Sequence, residues 1–297
     1  MKISANAKIN LSLDVLGTRP DGYHEVCMIM QSVDLHDTLE IKENSTSSII
    51  LTCDNNALPC DDTNLIVRAA KALMSEVGAS DGIDINLSKV IPMAAGLAGG
   101  SADAAAALVG INKLMGYGLS VDRLKDIGAK LGADIPFCIQ GGTCMAEGIG
   151  ERLTPIASMP DCYIVLIKPP MDVSTKYVYD NLSTDTAPHP DVYGMKSFIE
   201  NKDLNGISSS LGNILESVTV KKYPEISDIT KRLKQLGANG ALMSGSGPSV
   251  FGLFDDEAAA NRAFAAMREE FALTDPDRDY MMFVCRPAGE GVFLYAD

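Results

Sequence analysis

Residues 92–103 read PMAAGLAGGSAD, a run of glycines and small residues. It joins a segment with strand patterning, Ile83–Val90, to an alanine-rich helical one, Ser101–Leu114. Glycines in such a joint let backbone N–H groups approach a ligand closely, and the start of the helix adds partial positive charge. That is the chemistry of a phosphate cradle. The loop is not of the Walker A type, because no Gly-Lys-Ser/Thr ends it. Its G-x-x-G-G-S spacing also departs from the dinucleotide fingerprint. The plain alternative is a tight turn with Ser101 as helix N-cap.

Around this loop the N-terminal half has mixed patterning. Residues 2–16 alternate loosely, with Ile9, Leu11, Leu13 and Val15 on one side. Met28–Val33 and Thr38–Ile41 are expected as further strands, Asn64–Ser75 as a helix, and 121–131 as a short helix ending near Gly132. Pro155 and Pro160 mark a break around 150–162. Beyond it, Cys162–Ile167 reads as a buried strand and 183–191 as a loop. Pro224 begins a helix whose apolar face is Ile226, Ile229, Leu233 and Leu236, with Gly237 at C′. Strands at 241–244 and 249–254, a helix at 256–271 and a strand at 280–286 complete the reading. This mixture is an α+β arrangement. A chain of 297 residues suits two domains, and the boundary is drawn as 1–157 and 158–297.

The net charge of −14 argues against nucleic acid as a partner, so an anionic ligand has to be met by a few local cations and backbone amides. The first ten residues, MKISANAKIN, lack the apolar stretch of a signal peptide, and no apolar run is long enough to span a membrane. Seven scattered cysteines with no CxxC pair read as reduced thiols. A cytoplasmic protein without membrane association is expected. The three histidines form no metal-binding pattern, so no metal site is assigned. Oligomeric state is not readable.

Three segments carry a resemblance: Ala7–Leu11 (AKINL), the loop at 92–101, and Gly240–Ser249 (GALMSGSGPS). In that order they resemble the galactokinase, homoserine kinase and mevalonate kinase superfamily. Arg19–Glu25 (RPDGYHE), Gly132–Phe137 (GADIPF), Gly141–Gly148 (GGTCMAEG) and Val173–Tyr179 (VSTKYVY) narrow it. These segments resemble the diphosphocytidyl-methylerythritol kinases nearly end to end. The Asp-Gly-Tyr-His stretch separates the chain from homoserine kinases, and its charge separates it from S5-like nucleic-acid-binding modules.

The resemblance implies a two-domain α+β fold, with an N-terminal domain like ribosomal protein S5 domain 2 and a ferredoxin-like C-terminal domain. It implies transfer of the ATP γ-phosphoryl group to a substrate 2-hydroxyl on the non-mevalonate route to isoprenoids. By it, Asp134 is the catalytic aspartate that takes the hydroxyl proton. Lys8 is the catalytic lysine that stabilises charge on the acceptor oxygen or γ-phosphate. ATP is expected on Pro92, Met93, Ala94, Ala95, Gly96, Leu97, Ala98, Gly99, Gly100 and Ser101, with Asn64 and Lys89 nearby. For those last two, a helix cap and an exposed lysine stay open as alternatives. Tyr23, His24 and Tyr179 are expected to hold cytosine, and Asn10 and Thr175 to orient the rest of the small-molecule substrate. Mg²⁺ is expected with the phosphates, and Ser101 is the only protein ligand that suggests itself. The family loop usually reads Gly-Leu-Gly-Gly-Gly-Ser. This chain has Ala98 at the third position, so Ala98 is expected at negative φ, with Gly96, Gly99 or Gly100 taking any left-handed turn.

Overall fold

The computed structural model describes residues 1–295. Strict alternation opens the chain. Odd positions from Ile3 to Val15 are apolar and even positions from Ser4 to Asp14 are polar, and all of them are buried. A strand polar on one face and buried on both must have that polar face covered by other parts of the protein. This strand is β1 (Lys2–Thr18). It turns back into β2 (His24–Asn44), followed by β3 (Ile49–Cys53), α1 (Leu65–Val77), β4 (Gly82–Ser88), α2 (Gly99–Leu114), α3 (Val121–Ala129), α4 (Ile135–Gln140), β5 (Thr143–Gly148) and β6 (Arg152–Pro155). The second half runs β7 (Tyr163–Lys168), α5 (Thr175–Asp180), α6 (Val192–Glu200), α7 (Leu204–Ser209), β8 (Gly212–Asn213), α8 (Glu216–Lys222) and α9 (Glu225–Gln235). It ends with β9 (Gly240–Met243), β10 (Val250–Phe254), α10 (Glu257–Thr274), β11 (Met281–Cys285) and β12 (Val292–Leu294).

Two sheets result. The larger has the order β12-β1-β2-β4-β3, with β5 and β6 continuing from β2 and β8 parallel to β1. The smaller is antiparallel, in the order β11-β7-β10-β9. The two strands expected at 28–33 and 38–41 are one 21-residue strand. Its first part pairs with β5 and its last part with β4, so a single chain can run through the polar stretch between them. Of the expected α9 face, Ile226, Ile229 and Leu233 are buried, Leu236 is half-buried at the C-cap, and Gly237 follows at φ 99°. Strand β12 lies outside the expected elements. It has only three residues and is held by pairing with β1 rather than by its own pattern.

The alanine-rich helix α2 has ten buried residues and packs against β1, β2 and α1. Small side chains let it sit close to the sheet, which brings its N-terminus to the polar face of β1. Register shifts in the β1–β2 pairing at Asn6/Ala7 and Asn10/Ser12 flank Lys8 and Asn10. Such bulges re-aim side chains locally. No helix among the described residues is long and apolar enough to cross a membrane.

Candidate active site

A cleft of about 660 Å³ opens where the glycine-rich loop, the polar face of β1 and the turn after β9 meet. Lys8 is almost completely buried at its floor. Its Nζ donates to Asn10 Oδ1 at 2.7 Å and to the Gly96 carbonyl at 3.1 Å. The loop is also bonded to β1 by the backbone, since Lys8 N donates to Leu97 O at 3.1 Å. From the other side Ser244 Oγ donates to Gly96 O at 3.0 Å. Gly96 sits at φ 74°, and a Cβ there would lie 2.2 Å from Ser244 O. Loop and turn therefore close on each other only because this residue is glycine.

The helix that follows the glycine-rich loop begins two residues earlier than expected, at Gly99. Ser101 does not cap it. The N-cap is Ala98, and no side chain bonds the first turn. Its leading amides are therefore left for an anion. Ala98 corrects a sequence expectation: it sits at φ 58°, in the left-handed region, and Ala94 does the same at φ 48°. Of the three loop glycines considered, only Gly96 is left-handed. The expected negative φ at Ala98 fails because three fixed points decide the path of the loop: its bond to β1, its contact with Ser244 and the start of α2. A left-handed alanine costs roughly 1–2 kcal/mol, against roughly 0.4–1 kcal/mol for the greater unfolded-state freedom of glycine. Ala98→Gly is accordingly expected to raise stability by about 0.5 kcal/mol in urea unfolding. A clear loss of stability would contradict the left-handed geometry.

Asp134 stands at the N-cap position of α4, yet its carboxylate makes no capping bond. The side chain lines the cleft with Lys8, and among the described residues the two make no ion pair with each other. Tyr179 lies at the same end. Burial, then the nearby Asp134 charge, push its phenol up to about 12. Its ring meets that of His24, with centroids 4.9 Å apart and planes tilted by 44°. Tyr23 is 59% exposed at the β1–β2 turn and is not part of the cleft wall. Thr175 lines the cleft and shares a 2.9 Å hydrogen bond with Ser246.

The other residues expected at the site divide. Pro92, Met93, Ala94, Ala95, Gly96, Ala98, Gly99, Gly100 and Ser101 line the cleft, while Leu97 is buried in the core. Asn64 caps α1, accepting from Ile66 N at 2.8 Å and donating to Pro59 O. Lys89 lines the cleft but is not the exposed lysine held open as an alternative: its side chain is 3% exposed and paired with Asp37 and Asp103. Burial opposes its charge, but the two carboxylates together hold its pKa above the ordinary lysine value. The cleft also has walls that were given no site role from sequence. Gly245, Ser246 and Gly247 come from the glycine turn, and Leu58 and Leu65 stand near the loop. The turn had a visible signal in its Gly-Ser-Gly-Pro run, and Leu65 stands beside the expected Asn64, whereas Leu58 alone carries none.

Among the described residues no group of three His, Cys, Asp or Glu side chains could hold a metal. The Ser101 hydroxyl in the cleft does fit a magnesium ion that keeps mostly water and phosphate ligands.

Comparison with known proteins follows this geometry. Residues 64–142 match the GHMP kinases N terminal domain, and residues 195–273 match the GHMP kinases C terminal domain. A 4-diphosphocytidyl-2-C-methyl-D-erythritol kinase of Geobacillus sp. (strain WCH70) is 49% identical over 266 residues, covering 90% of this chain and 92% of that protein. One from Clostridium perfringens (strain ATCC 13124) is 45% identical, covering 93% and 96%. A crystal structure of 4-(cytidine 5'-diphospho)-2C-methyl-D-erythritol kinase superposes with a TM-score of 0.80 at 32% identity, covering 97% of this chain and 100% of that one. A homoserine kinase from Cytophaga hutchinsonii reaches the same TM-score at 23% identity, a likeness of fold. With its two-domain α+β fold, this chain belongs to the GHMP kinases and, within them, to the 4-diphosphocytidyl-2-C-methyl-D-erythritol kinase family.

Proposed function

We propose that this protein transfers the γ-phosphoryl group of ATP to the 2-hydroxyl of 4-diphosphocytidyl-2-C-methyl-D-erythritol. The carrying observation is the placement of Lys8. Two of its three ammonium donors are taken, by Asn10 and by the Gly96 carbonyl of the phosphate loop, and one is left for the cleft. A cation tied to the loop, in the same cleft as an Asp134 carboxylate free of any capping bond, is what a phosphoryl acceptor site requires.

The ATP phosphates lie along the amides at the start of α2, and the adenine is held by the apolar walls Leu58, Leu65 and Met93. Magnesium, when bound, would neutralise phosphate charge, with Ser101 as the residue that would face it. The acceptor hydroxyl sits between Lys8 and Asp134. As the new phosphorus–oxygen bond forms, the Asp134 carboxylate takes the hydroxyl proton and the free Lys8 donor stabilises the developing negative charge. Asn10 keeps the ammonium aimed, and Thr175 orients the acceptor. His24 and Tyr179 form one wall for cytosine, and Tyr23 closes over its other face from the β1–β2 turn.

A coupled ADP-release assay with this cytidyl substrate, homoserine and mevalonate tests the reading, with product analysis to locate the phosphate. Phosphorylation of homoserine in place of the cytidyl substrate would sink it. Base stacking contributes about 1–3 kcal/mol, so Tyr23→Ala is expected to raise the KM for the cytidyl substrate at least about fivefold and leave ATP unaffected. Equal losses for both ligands would reduce Tyr23 to a packing residue.

A further inference from the structure

Behind the phosphate loop lies a buried ionic group that the reaction itself does not use. Asp37, on β2, is fully buried. Its Oδ1 accepts from Val90 N at 2.5 Å and from Ile91 N at 2.8 Å, and its Oδ2 accepts from Lys89 Nζ. Lys89 Nζ also donates to Asp103 Oδ2 at 2.8 Å. Asp103 is on α2, 2% exposed, and its Oδ1 has no partner. The ammonium lies against the start of α2 as well, since a Cβ on Gly99 would be 3.0 Å from Nζ. One carboxylate–ammonium–carboxylate chain thus grips the entrance of the loop at 89–91 and its exit at 103.

Between those two ends the loop holds Ala94 and Ala98 in left-handed conformations. Non-glycine residues stay in that region only where the surroundings over-determine them. Burying two carboxylates around one ammonium is a poor way to gain stability as such. The two features explain each other. We infer that Asp37, Lys89 and Asp103 form a staple that holds the strained loop in its ATP-binding shape, with Asp37 and Asp103 as positioning residues. This rests on the reading of 92–101 as the ATP loop. When the staple is cut, the alanines relax toward negative φ and the amides leave their phosphate-facing positions. A glycine at 98 has no such incentive to relax.

The test is a double-mutant cycle read by calorimetric titration with β,γ-imido-ATP, well below the unfolding temperature. In the wild-type background Asp103→Ala is expected to weaken binding at least about tenfold, equivalent to about 1.4 kcal/mol. In the A98G background the same substitution is expected to weaken binding less than about threefold. Affinity for the cytidyl substrate stays within about twofold in both backgrounds. Coupling of this kind separates positioning from general destabilisation, which would act equally in either background. Should D103A not yield folded protein, Asp103→Asn carries the same cycle with a loss of about threefold that A98G removes. An equal loss in both backgrounds, or none in either, overturns the staple. Wild-type protein that binds the analogue but phosphorylates no acceptor defeats the kinase assignment and leaves the cycle readable. Wild-type protein that does not bind the analogue overturns both.

Discussion

Asp134→Asn is expected to lower kcat at least about 10²-fold, the scale usual for a positioned acid–base group, with the KM for ATP little changed. Asparagine keeps the size and shape of the side chain and loses the lone pair that takes the proton. Because the carboxylate makes no capping bond to α4, the substitution does not unpick the helix. In the proposed arrangement ATP is contacted by a different segment, the loop and the start of α2. The fall should therefore appear in the chemical step, measured by single-turnover phosphoryl transfer at saturating ATP. A variant that keeps most of its kcat would strip Asp134 of its catalytic role. A variant that loses ATP affinity instead would mean that the carboxylate acts on the nucleotide.

Gly96→Ala is expected to cut kcat/KM for ATP by more than about 10²-fold and to cost roughly 2–4 kcal/mol of stability. The new Cβ would meet the Ser244 carbonyl at 2.2 Å and the Gly247 carbonyl at 3.2 Å, both backbone atoms that cannot rotate away. The left-handed φ of 74° adds strain. Relief requires the loop and the glycine turn to separate. That would break the Ser244 bond to Gly96 O and remove the carbonyl that steadies Lys8. Gly100→Ala is the comparison, because its Cβ would meet only the Leu65 side chain at 3.6 Å. Urea unfolding and ATP-dependent rates on both variants check the argument. If G96A stays within about threefold of wild type, loop and turn do not abut in solution.

Much of this site was legible because its signals are local. The glycine run announces close backbone approach wherever it occurs, and the Ala7–Leu11 and Gly132–Phe137 segments place Lys8 and Asp134 by resemblance. The apolar face of α9 needs only 3.6-residue periodicity. Lys89 shows where local reading stops. Its neighbours in sequence do not reveal the partners Asp37 and Asp103, which lie 52 and 14 residues away. The proposed cytosine wall is similar. His24 and Tyr179 were both candidates, but their direct contact depends on how the β1–β2 turn meets α5.

By itself the sequence determined the family, through resemblance, and the alternation of β1, and it pointed to 92–101 as a phosphate loop and to Lys8 and Asp134 as the proposed reacting groups. The alternation and the glycine run follow from residue type and short spacing, whereas the family and the roles of Lys8 and Asp134 rest on the resemblance. Only the tertiary structure decided the conformation of Ala98. Intrinsic preference puts an alanine at negative φ, and the difference is roughly 1–2 kcal/mol. Here the ends of the loop are fixed by α2 and by the Asp37–Lys89–Asp103 group, and its middle is fixed by β1 and Ser244. Several long-range bonds acting on ten residues outweigh one local preference, and no pattern within those ten residues records them.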